Sequence, residues 1–406
     1  MRIVQVNDLY SLVGGSEKTL RRSSEGLAAA GHEVLVIHGE EAARNQDGSR
    51  YLPSLARATL FRAGRARAEL LAALDGYRPD IVHFRNFDAA TVIAAVAGRY
   101  AAVRTVHTPW TYCPCGLKYG AATRLTCVVP FGVRCLAVSR RIKCHLRADG
   151  PAIGAAELGR RILACYAFRA VDRRLGAVVV TSRWMKDMLT AAGQRPGRIH
   201  VVPPPVDMPP DAAPVNGRPA EIVAVGRLAP GKGFEDLIAA VKLLPGAKLV
   251  VVGDGPARPE LQALADAAGL NGRMEFTGWV PYAELGDIYR RARVVALPSL
   301  GPEAFGNVGV EALSHGRPVV GYDVGGVSEW LVDGRVGFLA RPRDPADLAA
   351  KLNRLLENPD LATRMGAAGR ARAAAFSLTR HVEKTLAVYE VAIGRKKRDH
   401  RKWTSP

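Results

Sequence analysis

The chain runs to 406 residues, long enough for two or three domains that each bury a core. Hydrophobic residues make up 48%, which suits a soluble globular protein, and no apolar run reaches the roughly 20 residues of a membrane-crossing helix. The formal charge is +19, and residues 1–200 hold 30 basic against 15 acidic side chains, so the first half carries most of the excess.

The opening MRIVQVNDLY lacks the long apolar stretch of a secretory leader and reads as a buried first strand. A cytoplasmic protein is therefore expected. The basic first half favours an anionic partner. Membrane lipid, a phosphorylated acceptor or nucleic acid would each meet that charge; of these, peripheral attachment to the inner face of the membrane is expected and nucleic acid is not. An arginine-rich composition that only reflects a biased genome is the alternative.

Short apolar runs then alternate with amphipathic stretches, the pattern of a parallel sheet with crossover helices. Strands are predicted at Arg2–Val6, Glu33–Ile37, Ile81–Phe84, Val103–Val106, Ala177–Thr181 and Ile199–Val202. A helix over Ser16–Ala30, ending at Gly31, joins the first two into a βαβ unit. The segment Val202–Pro219 holds seven prolines, which fix the backbone and bias their predecessors toward extended structure. It reads as the linker between domains.

The rhythm restarts beyond it. Strands are predicted at Ile222–Val225, Lys248–Val252, Met274–Thr277, Val294–Leu297 and Pro318–Tyr322, separated by helices Phe234–Leu244, Ala257–Ala268, Tyr282–Ala292 and Asn307–His315. The expected division is 1–205 and 206–377, with a last helix at about 378–394 and a basic, disordered tail over 395–406. The fold class is α/β, two Rossmann-like doubly wound domains.

Three segments carry chemistry. In LPSLGPEAFGNVGVEAL a strand ends at Leu297 and a helix begins near Asn307. Gly306 allows close backbone approach, and the free N–H groups of the helix start suit a phosphate. Glu303 and Glu311 flank that anion site, placed to grip hydroxyls on either side of a diphosphate; spacing alone leaves two solvated glutamates equally open. In VGRLAPGKGFEDL, Arg227 and Lys232 stand among glycines just after a strand, suited to neutralising a diphosphate leaving group. A solvated basic turn is the alternative. The segment is not a P-loop, since GxxxxGK[ST] is absent. VGGSE after the first strand offers Gly14 and Gly15 at a helix start, without the GxGxxG of a dinucleotide oxidoreductase. His107, in TVHTPW, follows a strand and points into the cleft, unless it is a core or capping histidine.

Five of the six cysteines crowd into Cys113–Cys144. Small buried residues are the favoured reading. A structural metal site at Cys113, Cys127 and Cys135 is the alternative, because a cytosolic setting disfavours stable disulfides. No DxD stands where a cation could be held against a diphosphate, and no HExxH, GxSxG or kinase signature appears.

In this order the segments resemble family 4 of the retaining glycosyltransferases, the large group with the GT-B fold, over nearly the whole chain. The most specific part is the Glu303–Glu311 element followed by HGRPVVGYDVGGVSEWLVDGRVGFL. VGRLAPGKG, LVVVGDGPARPEL, FTGWVPYAELGDIYRRARVVALPS and VVTSRWMKDML follow the family's order as well. The resemblance implies a UDP-, GDP- or ADP-sugar donor and no cofactor or metal. It implies that Glu303 contacts the transferred sugar, that the amides of Phe305, Gly306 and Asn307 bind the diphosphate, and that Glu311 holds the ribose. Arg227 and Lys232 would stabilise the departing diphosphate, Gly14 and Gly15 would approach it from the other domain, and His107 would sit by the sugar. Val280 joins the donor-binding set. The last helix would cross back onto the first domain. The acceptor would be a lipid-linked oligosaccharide or polysaccharide precursor. Two positions depart from the pattern: Ala304 replaces the frequent proline after the first glutamate, and His107–Thr108 replaces the frequent His-Asp pair. A sugar-nucleotide epimerase of the same fold and an inactive binding subunit remain the competing readings.

Overall fold

The computed structural model describes residues 1–10, 15–43, 48–56, 58–59, 62–87, 89–146, 152–210 and 221–404. The first sheet takes β1 (Arg2–Asn7), β2 (Glu33–His38), β3 (Ser49–Tyr51), β4 (Ile81–Phe84) and β5 (Ala102–Val106). A two-stranded hairpin, β6 (Tyr119–Gly120) with β7 (Leu125–Thr126), interrupts it before β8 (Ala177–Val180) and β9 (Ile199–Val201) complete it. The order is β3-β2-β1-β4-β5-β8-β9, all parallel. Runs such as Ile81–Phe84 and Ala177–Val180 are buried throughout, as strands covered on both faces by helices must be.

The second sheet takes β10 (Glu221–Val225), β11 (Lys248–Val252), β12 (Met274–Gly278), β13 (Val294–Leu297), β14 (Val319–Tyr322) and β15 (Gly337–Ala340). Its order is β12-β11-β10-β13-β14-β15, again parallel. In both sheets the winding reverses beside the first strand, between β1 and β4 and between β10 and β13. Such switch points open a crevice at the carboxyl ends of the strands, where ligands of doubly wound sheets bind.

The final helix, Leu378–Thr404, packs on the first sheet through Val382, Val388, Tyr389 and Ala392. His83 joins it to the sheet centre, with Nδ1 2.7 Å from the Tyr389 hydroxyl and Nε2 2.7 Å from Thr105 Oγ1. The disordered tail expected from residue 395 is corrected: the helix continues to Thr404. Arg395 donates to the carbonyls of Gly176 and Gly197, and Lys396 to those of Ala97 and Gly98, so the first basic residues anchor the helix. Strands β3, β6, β7 and β15 were not expected; all are four residues or shorter. Residues 211–220 of the proline-rich linker lie outside the described residues.

Candidate active site

The two switch points face each other. Gly15 opens the helix Gly15–Ala29 after β1, and a Cβ placed on it would lie 3.4 Å from Nδ2 of Asn307, first residue of the helix Asn307–Ser314 after β13. Two helix N-termini thus converge across the interdomain cleft, each with unsatisfied N–H groups and the positive end of its dipole. Between them lie two cavities that share Gly15, Gly226, Arg227 and Asn307. One of about 630 Å³ also meets His107, Lys232 and Glu303; the other, of about 450 Å³, meets Val280, Tyr282 and Glu311. Each is the size of an ordinary small-molecule site.

The backbone explains how the acidic loop is held. Gly306 caps the helix with φ 87°, a left-handed conformation that a side chain would disfavour. Trp330 Nε1 donates to the Phe305 carbonyl at 2.6 Å, and Phe305 packs edge-on against Phe376. Gly325 lies so close that a Cβ would sit 2.1 Å from the Glu303 carbonyl oxygen, and Gly326 N–H donates to that same oxygen at 2.8 Å. The glycine pair of DVGGVSE therefore seats the Glu303 turn.

Lys232 Nζ donates to Glu303 Oε1 at 2.7 Å, and Ser299 Oγ donates to the same oxygen at 2.6 Å. Burial pushes the Glu303 carboxyl up, but the Lys232 ammonium and Ser299 hydroxyl hold it below its ordinary value. It is an anion at neutral pH. The Gly231 carbonyl accepts from the N–H groups of Leu300 and Gly301, both at 2.8 Å, so the basic loop and the acidic loop are tied as one unit. Arg227 is exposed, lines both cavities and has no hydrogen-bond partner among the described residues.

His107 lies opposite, at the end of β5. Burial first, then the charges of Arg85, His381 and Arg104, pushes its imidazole down to about 3. Its Nε2 has no partner among the described residues. The ring is neutral and lines the cavity wall, but this nitrogen is itself buried, so a ligand hydroxyl reaches it only if the wall shifts.

The structure thus brings His107, Arg227, Lys232, Glu303, Phe305, Gly306, Asn307, Glu311, Val280 and Gly15 to one cleft. Gly14 lies outside the described residues. Sequence reading missed Ser299 and Lys18. Lys18 Nζ donates to Glu311 Oε1 at 2.6 Å across the cleft, while Tyr289 donates to Oε2 at 3.3 Å. A signal existed: a lysine in the first turn opposes the helix dipole and calls for a compensating anion. Missed too was Glu329, whose carboxylate accepts the N–H groups of Arg183 at 2.9 Å and Trp184 at 2.8 Å, capping a helix of the other domain.

Cys113, Cys127 and Cys165 are buried, and all six cysteines are free. Among the described residues no group of three His, Cys, Asp or Glu side chains is placed to hold a metal.

Two doubly wound domains with switch points opposed across a cleft define the GT-B architecture. Residues 13–208 match the family described as Glycosyltransferase Family 4, and residues 210–372 match Glycosyl transferases group 1. The chain belongs to the group 1 glycosyltransferases of GT-B fold. It is 36% identical over 266 residues to a D-inositol 3-phosphate glycosyltransferase of Nocardia farcinica, covering 60% of this chain and 57% of that one. The chain spans about half the length of the first curated relatives it matches. Among solved structures, sucrose-phosphate synthase from Thermosynechococcus elongatus superposes with a TM-score of 0.71 at 20% identity, covering 99% of each chain. Anabaena Alr3699/HepE in complex with UDP gives 0.70 at 18% identity, covering 96% of this chain and 100% of that one. At these identities the superpositions concern the fold.

Proposed function

We propose that this protein transfers a sugar from a nucleotide-diphosphate sugar to an acceptor hydroxyl, with retention of configuration and without a metal ion. The observation that carries the reading is the Lys232–Glu303 pair at the meeting of two helix N-termini. It sets a cation for the diphosphate beside a carboxylate for the sugar. UDP-, GDP- and ADP-sugars all fit this chemistry; the Anabaena neighbour's complex with UDP supports a nucleotide in this cleft.

In this reading the diphosphate lies on the amides of Phe305, Gly306 and Asn307 and near Gly15. Arg227 and Lys232 neutralise the charge that grows as the glycosidic bond breaks, which makes a cation unnecessary. Glu311 takes the ribose, and Val280 lines the nucleotide cavity. Glu303 and His107 hold the transferred sugar from opposite domains. No cofactor takes part.

The acceptor in this reading is a lipid-linked oligosaccharide or polysaccharide precursor, met at the anionic inner face of a membrane by the basic first domain. No helix among the described residues is long and apolar enough to cross a membrane; peripheral attachment is part of this reading. Nucleic acid is not a partner.

A thermal-shift screen against UDP-, GDP- and ADP-sugars tests the donor. A stabilising donor that the protein slowly hydrolyses to free sugar is the expected result. Conversion of one nucleotide sugar into another would indicate an epimerase, and binding without turnover an inactive subunit; either overturns the proposal.

A further inference from the structure

A third cavity, of about 580 Å³, lies between the domains beside the donor cleft. Its walls come from the cysteine-rich insert, from the helix Arg183–Ala191, and from the loops after β13, β14 and β15. We propose that it takes a sugar ring of the acceptor, one or more units back from the hydroxyl that receives the transferred sugar. The proposal rests on the donor reading above.

Position comes first. Pro302 lines both this cavity and the donor cavity that contains Glu303. In the insert, Gly116 and Leu117 face the donor side while Lys118 faces this one. An oligosaccharide held here needs only to pass over Pro302 to bring its end to the donor sugar. The insert is also braced against the donor domain: Arg124 pairs with Asp236, and Thr126 Oγ1 donates to the Leu300 carbonyl at 3.1 Å. The cavity therefore exists only when both domains are in place.

Its chemistry is the second observation. Trp184 offers an indole, and Asp187, Asp323 and Arg343 line the walls without a side-chain hydrogen bond or ion pair among the described residues. An aromatic face beside unengaged carboxylates and a guanidinium fits a polyhydroxylated ring, which stacks its C–H face and donates its hydroxyls. A phosphate fits poorly. Two carboxylates repel it, while Lys118 is spent on the Val129 carbonyl and Arg124 on Asp236.

Backbone strain is the third. Five non-glycine residues among those described have positive φ, and three of them line this cavity: Lys118 at 55°, Arg124 at 54° and Arg343 at 64°. Such residues persist where surrounding contacts enforce them, and they gather at ligand sites.

Saturation-transfer NMR on the full chain tests the proposal, with maltose, cellobiose, mannobiose and diacetylchitobiose as probes. At least one should bind. Its affinity should fall roughly tenfold or more in Trp184→Leu and in Asp323→Asn, the loss expected for a stacked ring or a charged hydrogen bond. The thermal shift given by nucleotide should persist in both variants, which also shows that they fold. Three results overturn the proposal: no probe binds, binding is unchanged in both variants, or binding depends on Glu303 but not on Trp184 or Asp323. Probe binding that depends on Trp184 and Asp323 in a protein that binds no nucleotide would instead sink the donor reading and leave a sugar site.

Discussion

Lys18 and Glu311 close the cleft from opposite domains, with Nζ 2.6 Å from Oε1 and side-chain exposures of only 15% and 13%. The ammonium also lies 3.2 Å from the centre of the Tyr282 ring. A carboxylate already committed to Lys18 and Tyr289 must exchange a partner if ribose hydroxyls are to reach it. Under the proposed function, nucleotide entry and the contact between domains are then coupled through this one side chain.

Lys18→Met tests that coupling. Removing one member of a buried pair commonly costs about 3–5 kcal/mol, because the other charge stays buried. Here the domains can part and let water reach Glu311. The expected result is a small fall in Tm together with a larger radius of gyration in solution scattering of the ligand-free protein. A steep fall in Tm with unchanged dimensions would make the pair a static brace.

Arg227 and Lys232 differ in how they are held, and their variants should differ accordingly. Losing one electrostatic partner of a developing charge costs about 2.7–4 kcal/mol of transition-state stabilisation, roughly a hundredfold or more in rate. Arg227→Ala should show that loss in kcat with little structural change, because Arg227 has no partner among the described residues. Lys232→Ala should lose as much and also free Glu303, raising its carboxyl pKa. Steady-state kinetics of both variants check this; unchanged kcat in both would remove them from the mechanism.

The fold was legible because its signals are local and repeated. Apolar runs such as LVVV and VVAL, each followed by an amphipathic stretch, can only alternate strand and helix in a parallel sheet. The Glu303 turn was legible for a similar reason, since Gly306, the helix start and both glutamates fall in one segment. Lys18–Glu311 was not. Its members lie 293 positions apart, and no property of either residue alone names the other. The path of the last helix beyond residue 395 was misread because six basic residues in a row of eight suggest a solvated tail. The carbonyls that Arg395 and Lys396 reach belong to distant turns, which composition does not reveal.

Acid should destabilise the protein through its histidines. Burial, and then mainly the charge of Arg85, pushes His107 and His381 down to about 3. Between about pH 3 and the ordinary histidine value near 6.5, the unfolded chain binds protons that the folded one refuses. Stability is therefore full above about pH 6.5 and falls as pH drops below it, on the order of 1 kcal/mol per pH unit for each histidine. Denaturant titrations at pH 7.5 and 5.5 measure the slope. His381→Gln should flatten it; an unaltered slope would assign the acid sensitivity to other groups.

The last prediction concerns Glu303 and stereochemistry. Retention arises either through a covalent glycosyl-enzyme or through attack from the face the leaving group departs. The covalent route needs a carboxylate free to reach the reacting carbon. Glu303 Oε1 accepts from Lys232 and Ser299, which fixes the carboxylate's orientation and suits positioning the sugar and stabilising its positive charge. In the proposed retaining reaction front-face attack is then the expected route, with the departing phosphate accepting the acceptor's proton. Glu303→Gln should lose much of its turnover while donor affinity changes little, since the diphosphate grip at Arg227 and the helix starts remains. The product should keep the α configuration of the donor, read by NMR of the new linkage. An inverted product would overturn the retaining mechanism, whereas a trapped adduct on Glu303 would keep retention and replace front-face attack with the covalent route.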